Sequence, residues 1–141
     1  MFVKQISVFL ENRPGRLEEL TTLFGKSGVD LIALSIADTS DFGILRGIAD
    51  DSEKAYRIAK ENGYNVGLIS VIAVVTPDEP DGLARVLRIL KDGEISIEYL
   101  YSLVRRVGNE AVIILRVNKP DDAVAVLIAN GIKLLDDNSI K

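Results

Sequence analysis

The chemistry-bearing stretch of this chain is a polar turn, Leu10-Glu11-Asn12-Arg13-Pro14-Gly15-Arg16-Leu17, between an alternating strand pattern and an amphipathic helix pattern. Pro14 has no N–H to lose and suits a first helical turn, while Gly15 lets another molecule approach the backbone closely. A helix that starts here presents unpaired N–H groups and the positive end of its dipole, an arrangement able to hold a carboxylate. An ordinary strand-to-helix connection has the same composition, so the turn by itself leaves both readings open.

Composition narrows the chemistry. The 141 residues contain no histidine and no cysteine, which removes the commonest general base, the commonest transition-metal ligands, thiolate catalysis and disulfides. No G-x-S-x-G, P-loop or G-x-G-x-x-G occurs, so acyl transfer, NTP hydrolysis and dinucleotide binding have no local support, and no cofactor is expected. Asp and Glu outnumber Lys and Arg by 21 to 17, and this acidic balance disfavours nucleic acid as a partner. There is no long apolar run and no basic-then-apolar leader, so a membrane span and a signal peptide are not expected, and the missing cysteine fits a cytoplasmic protein.

Hydrophobic periodicity then lays out the elements that must carry the turn. Ile6, Val8 and Leu10 alternate on a strand from about Val3 to Leu10, and Leu17, Leu20, Leu23 and Phe24 form a helical stripe from Gly15 to about Lys26. Strands follow at 31–37 and 44–49, joined by a polar hairpin at 38–42, so that Asp41-Phe42-Gly43 is a hairpin turn and not a kinase magnesium motif. Asp50-Asp51-Ser52-Glu53 starts a second helix, Asn62-Gly63 ends it, and a strand covers 64–70. The order βαββαβ then repeats: a strand at 71–75, a helix from about Leu83 to Gly93, a strand at 95–104, a turn at 107–110, a strand at 111–117, a helix opened by Pro120-Asp121-Asp122, a last strand at 132–135 and a polar tail at 136–141. The paired aspartates read as helix caps, and Tyr99 and Tyr101 as neighbours packed on one strand face.

The halves align. An offset of 66 places Pro14 on Pro80, Leu17 on Leu83, Leu20 on Val86 and Leu23 on Ile89, and Ile44-Leu45-Arg46 falls on Ile114-Leu115-Arg116. The expected fold class is therefore α+β, two tandem ferredoxin-like βαββαβ domains with antiparallel sheets, residues 1–69 and 70–141, meeting at a tight joint near Ser70. Apolar runs such as Val71 to Val75, Leu31 to Leu34 and Ala111 to Leu115 require cover on both sheet faces or at the sheet edge, by the sister copy or a second chain, and the expectation is a homo-oligomer, with a homodimer as its form.

Leu10-x-Asn12-x-Pro14-Gly15-x-Leu17, followed by a helix and then Gly28-Val29-Asp30-Leu31, resembles the ACT domain family, and the resemblance spans nearly the whole chain as two copies with no catalytic domain beside them. It implies a non-catalytic regulatory module of amino-acid metabolism, an amino-acid ligand bound between modules, and an amino-acid biosynthetic enzyme as a partner. Carried over by motif position, the ligand-binding residues are Leu10, Glu11, Asn12, Arg13, Pro14, Gly15 and Arg16 of the loop, and Val29, Asp30, Leu31 and Ile32 of a neighbour's second strand. Backbone N–H groups near Gly15 and Arg16 then take the carboxylate, and Asn12 offers both donor and acceptor. Asp30 stands where serine-sensing relatives have asparagine; a carboxylate there suits an α-ammonium but equally a structural turn. Leu10 replaces the histidine of those relatives, which points to a more apolar ligand. In the second copy Asp81 replaces the glycine and Asp78 and Ser96 fall on Asn12 and Asp30, so that copy is expected to be architectural. Two rivals remain: a small acylphosphatase-like enzyme using Arg13 or Arg16, and an assembly module without ligand.

Overall fold

The elements run β1 (Val3–Glu11), α1 (Arg16–Lys26), β2 (Leu31–Asp38), β3 (Phe42–Ala49), α2 (Ser52–Glu61), β4 (Asn65–Pro77), α3 (Gly82–Asp92), β5 (Ile97–Ser102), β6 (Glu110–Val117), α4 (Pro120–Ala129) and β7 (Lys133–Leu135). They are seen in a computed structural model that describes residues 1–38, 41–104 and 108–141. The class is α+β, with the ferredoxin-like βαββαβ order present twice and the strands paired antiparallel. Two compact units result: Lys4–Ile69, and Met1–Val3 together with Ser70–Lys141.

In the first unit β3 lies between β1 and β2, with Val8 opposite Leu45 and Leu45 opposite Ile36. Strand alternation sends Ile6, Val8, Leu10 and Leu45 to one face, where they meet Leu20 and Phe24 of α1 and Ala55 and Ala59 of α2. Asp51 caps α2 by accepting the Lys54 N–H at 3.1 Å. Leu17, expected in the α1 stripe, is 37% exposed because it lies one turn beyond the covered part of the sheet.

The second unit orders its strands β7-β4-β6-β5. Ile72, Val74, Leu115 and Val117 face Val86 and Leu90 of α3 and Leu127 of α4. Pro120 occupies the first turn of α4, with Asp121 and Asp122 beside it at the positive end. Tyr99 and Tyr101 stack at 6.5 Å between ring centroids.

Several expectations need correction. The two strands expected at 64–70 and 71–75 are one strand, because Ile69-Ser70-Val71-Ile72 contains no Gly, Pro, Asn or Asp and its β-branched residues favour extended backbone; the compact units divide within it, between Ile69 and Ser70. Phe42 belongs to β3 and not to the hairpin turn, whose Thr39 and Ser40 lie outside the described residues, as does Val107 of the turn expected at 107–110. The repeat offset in β3 and β6 is 68, not 70: Ile6 and Ile72 are equivalent, and their partners are Gly47 and Leu115. A two-residue slip keeps every side chain on its face, so the likeness of Ile44-Leu45-Arg46 to Ile114-Leu115-Arg116 concealed it.

The polar tail is also folded. Asp136 Oδ1 accepts the N–H groups of Asn138 and Ser139 at 3.0 and 2.9 Å, and Ile140 is buried. The Ser139 N–H, and then the Ser139 hydroxyl, hold the Asp136 carboxyl below the ordinary carboxylate value. A depressed folded-state value means this stabilisation is present above the unfolded value, about 4, and disappears as pH falls through the folded one. In Asp136→Ala the Ile140 amide should exchange with deuterium faster than in the parent at neutral pH. That difference should vanish in acid.

Candidate ligand-binding site

The corner between β1 and α1 is built from backbone hydrogen bonds. The Asn12 N–H donates to the Asp41 carbonyl at 3.1 Å, tying the loop to the entry of β3, and the Arg13 N–H turns back onto the Glu11 carbonyl at 2.9 Å. Gly15 adopts the left-handed conformation, φ 90°, as the cap residue of α1. Its carbonyl accepts the Glu19 N–H at 2.9 Å, while the amides of Gly15, Leu17 and Glu18 have no backbone acceptor among the described residues.

Next to this corner lies a cleft of about 220 Å³. Leu10, Glu11, Asn12, Arg13 and Arg16 line it, so five of the loop residues predicted for the site come together. Pro14 and Gly15 shape the turn without lining the cleft. Leu17, Ile36, Asp38 and Gly43 complete the walls, none of them predicted for the site. Sheet register explains their presence: Leu10 is opposite Gly43, and Gly43 opposite Asp38, so the three form one row across the sheet on the side of the helices. Period-two alternation along β2 from Leu34 contained this signal, but it needed the pairing register to become a site.

Charge is arranged in pairs. Arg13 Nε donates to Glu11 Oε2 at 3.1 Å, and an Arg16 terminal nitrogen donates to Glu19 Oε2 at 2.9 Å. The Arg16 guanidinium also lies 5.0 Å from the centre of the Tyr64 ring. The hydrogen bond to Glu19 raises its pKa, so it stays cationic, yet its buried Nε has no hydrogen-bond partner.

Val29, Asp30, Leu31 and Ile32 sit at the far end of α1, roughly 16 Å of helix away. Val29 and Ile32 are buried, and Leu31 packs against the core. Asp30 is held by its backbone: its N–H donates to Asp50 Oδ1 at 3.0 Å and its carbonyl accepts the Asp50 N–H at 2.9 Å. Ser96 and Asn118 repeat this latch in the second unit at 2.9 and 3.1 Å. The first unit by itself therefore does not bring the two predicted halves of the site together.

The second unit has the same tie, Asp78 N–H to the Asn109 carbonyl at 2.8 Å, but a different corner. Asp81, φ 141°, is clamped by Arg88 through two hydrogen bonds of 3.1 and 2.7 Å, which lower its pKa. The adjoining cleft, about 400 Å³, includes Asp78 and Glu110, and the positions of Arg13 and Arg16 are taken by Glu79 and Gly82. No group of three or more His, Cys, Asp or Glu that could hold a metal occurs among the described residues.

This fold and corner define a family. A family profile described as an ACT domain pair matches residues 1–141, and the chain belongs to that family. It is similar to protein BT0572 from Bacteroides thetaiotaomicron at 41% identity and a TM-score of 0.90, covering 96% of this chain and 92% of that one. The ligand-free regulatory subunit of aspartate kinase from Thermus thermophilus shares the fold at 14% identity and a TM-score of 0.65, with 91% and 90% of the two chains covered. No curated protein matches the chain by sequence.

The two corners need glycine for different reasons, and stability measurements separate them. A Cβ on Gly82 would stand 2.3 Å from the Pro77 carbonyl oxygen, so Gly82→Ala should lose about 3 kcal/mol or more in urea denaturation. Gly15 has open space around it and only its left-handed backbone to lose, so Gly15→Ala should lose about 1 kcal/mol.

Proposed function

We propose that this protein is a non-catalytic, cytoplasmic regulator of amino-acid metabolism that binds an amino acid in the cleft of its first copy. The observation that carries the reading is the open cleft at a corner where the amides of Gly15, Leu17 and Glu18 have no backbone acceptor among the described residues, bordered by cations and by apolar side chains. A zwitterion needs donors for its carboxylate, an acceptor for its ammonium and an apolar wall, and those groups are present together. The aspartate kinase relative is itself a regulatory subunit, and this chain takes the same kind of role, with a biosynthetic enzyme as its partner. The second copy is architectural, since its corner carries its own Arg88-paired carboxylate where a ligand's would sit.

The working form is a homodimer in which Val29, Asp30, Leu31 and Ile32 of one chain approach the loop of the other. Each unit offers equivalent apolar residues beside an edge strand: Leu17 and Leu34 in the first (37% and 42% exposed), Leu83 and Leu100 in the second (37% and 39%). Unpaired edges flanked by exposed leucines favour association. An acylphosphatase activity has less support, because it needs a glycine-rich cradle and a catalytic asparagine on a strand, whereas the cleft is lined by one glycine, Gly43, and its asparagine, Asn12, lies beyond the end of β1. No helix among the described residues is long and apolar enough to cross a membrane.

A thermal-shift screen of the twenty amino acids tests the reading. A ligand at about a hundred times its Kd should add roughly 2.7 kcal/mol, a rise of several degrees. Asn12→Ala should abolish the rise and leave the unliganded melting temperature unchanged, and a screen in which no amino acid shifts the protein refutes the proposal.

A further inference from the structure

Two residues of the first cleft, Asp38 and Gly43, lie outside the stretches that pointed to an amino acid, and together with Arg16 of the loop their chemistry says what kind it is. Arg16 is held in place yet incompletely used. One terminal nitrogen serves Glu19 and the guanidinium lies against Tyr64, but Nε is buried without an acceptor. Arg16 lines the cleft and its other terminal nitrogen has no hydrogen-bond partner among the described residues, so that nitrogen is the one left for an anion.

Asp38 is the complementary group. Among the described residues its carboxylate has no hydrogen bond and no ion pair, whereas Glu11 is engaged by Arg13. It stands at the cleft floor, Oδ1 4.0 Å from the place a Cβ on Gly43 would occupy. Gly43 is the third residue. Its φ is not positive, and an added Cβ would meet nothing closer than 3.8 Å, so neither backbone nor crowding demands glycine there. What a side chain at 43 would remove is depth, on a floor walled by Leu10 and Ile36.

We propose that the first cleft selects an aliphatic α-amino acid, with Arg16 on the carboxylate, Asp38 on the ammonium and Gly43 setting the size of the side chain. The proposal rests on the amino-acid reading above and deepens it. It assigns the ammonium to a residue of the same chain, leaving Asp30 its backbone latch with Asp50. The second copy lacks all three groups: the equivalent positions, at the offsets that strand pairing establishes, are Gly82, Val104 and Ala111. A guanidinium and a carboxylate on one small cleft favour a zwitterion over a simple anion or cation, since either ion by itself leaves one charge unanswered.

Titration calorimetry on the full chain, with L-leucine, L-alanine, 4-methylpentanoate and isoamylamine, tests each role. L-leucine should bind, while 4-methylpentanoate, lacking the ammonium, and isoamylamine, lacking the carboxylate, should bind at least about tenfold more weakly. Asp38→Asn and Arg16→Gln should each weaken L-leucine about tenfold or more, and Asp38→Asn should leave the weak affinity for 4-methylpentanoate unchanged. Gly43→Val, or Gly43→Ala if the larger variant melts early, should weaken L-leucine far more than L-alanine. Circular-dichroism melts without ligand confirm that each variant is folded. Amino-acid binding that survives Asp38→Asn and Gly43→Val but is lost in Asn12→Ala overturns this inference and leaves the amino-acid reading standing. A polar or charged amino acid as the preferred ligand does the same. Absence of binding by any amino acid overturns both.

Discussion

Burial of one face of each sheet beneath two helices is the constraint on which the rest of the structure depends. In the first unit Ile6, Val8, Leu10 and Leu45 must lie under Leu20, Phe24, Ala55 and Ala59. A strand repeats its faces every two residues and a helix every 3.6, so few registers satisfy both patterns at once. The register with Val8 opposite Leu45 does, and it brings the end of β1 beside the start of β3. Once the helix face is set, the chain must leave β1 and enter α1 within a few residues, and Pro14 and Gly15 with its positive φ make that corner.

The cleft follows from where that cover ends. Ile36 and Asp38 lie on the helix side of β2 but beyond the reach of α1, and Gly43 between β1 and β2 adds no side chain to fill the gap. The same architecture in the second unit meets Ser102, Val104 and Ala111 at those positions. Packing was kept across the duplication, as Leu20 and Val86 show, and so was the latch that Asp30 forms with Asp50 and Ser96 forms with Asn118. Corner chemistry was not kept: the open glycine at 15 corresponds, in the second copy, to a clamped aspartate at 81.

Much of this was legible before any coordinates. The kinds of element and their order, the duplication and the β1–α1 corner all follow from local signals: alternation, helical stripes, and the conformational habits of proline and glycine. The failures were of a different kind. A repeat boundary at Ser70 suggests two strands, yet nothing in the local chemistry interrupts the backbone, and one strand runs through the point where the units divide. Leu17 had the spacing of a core residue but lies where the core has run out. The offset of 70 between Ile44-Leu45-Arg46 and Ile114-Leu115-Arg116 preserved every face and so left no trace in hydrophobicity.

By itself, then, the order of residues determined the elements, their repetition and the loop that opens toward a ligand, because each rests on contacts within a few positions. Only the tertiary structure decided which distant residues join that loop. Asp38 and Gly43 reach Leu10 through strand pairing, and Arg16 meets Tyr64 through the return of the chain after α2. Pairing register is a global property, fixed by the whole core closing at once, and no short window of sequence carries it.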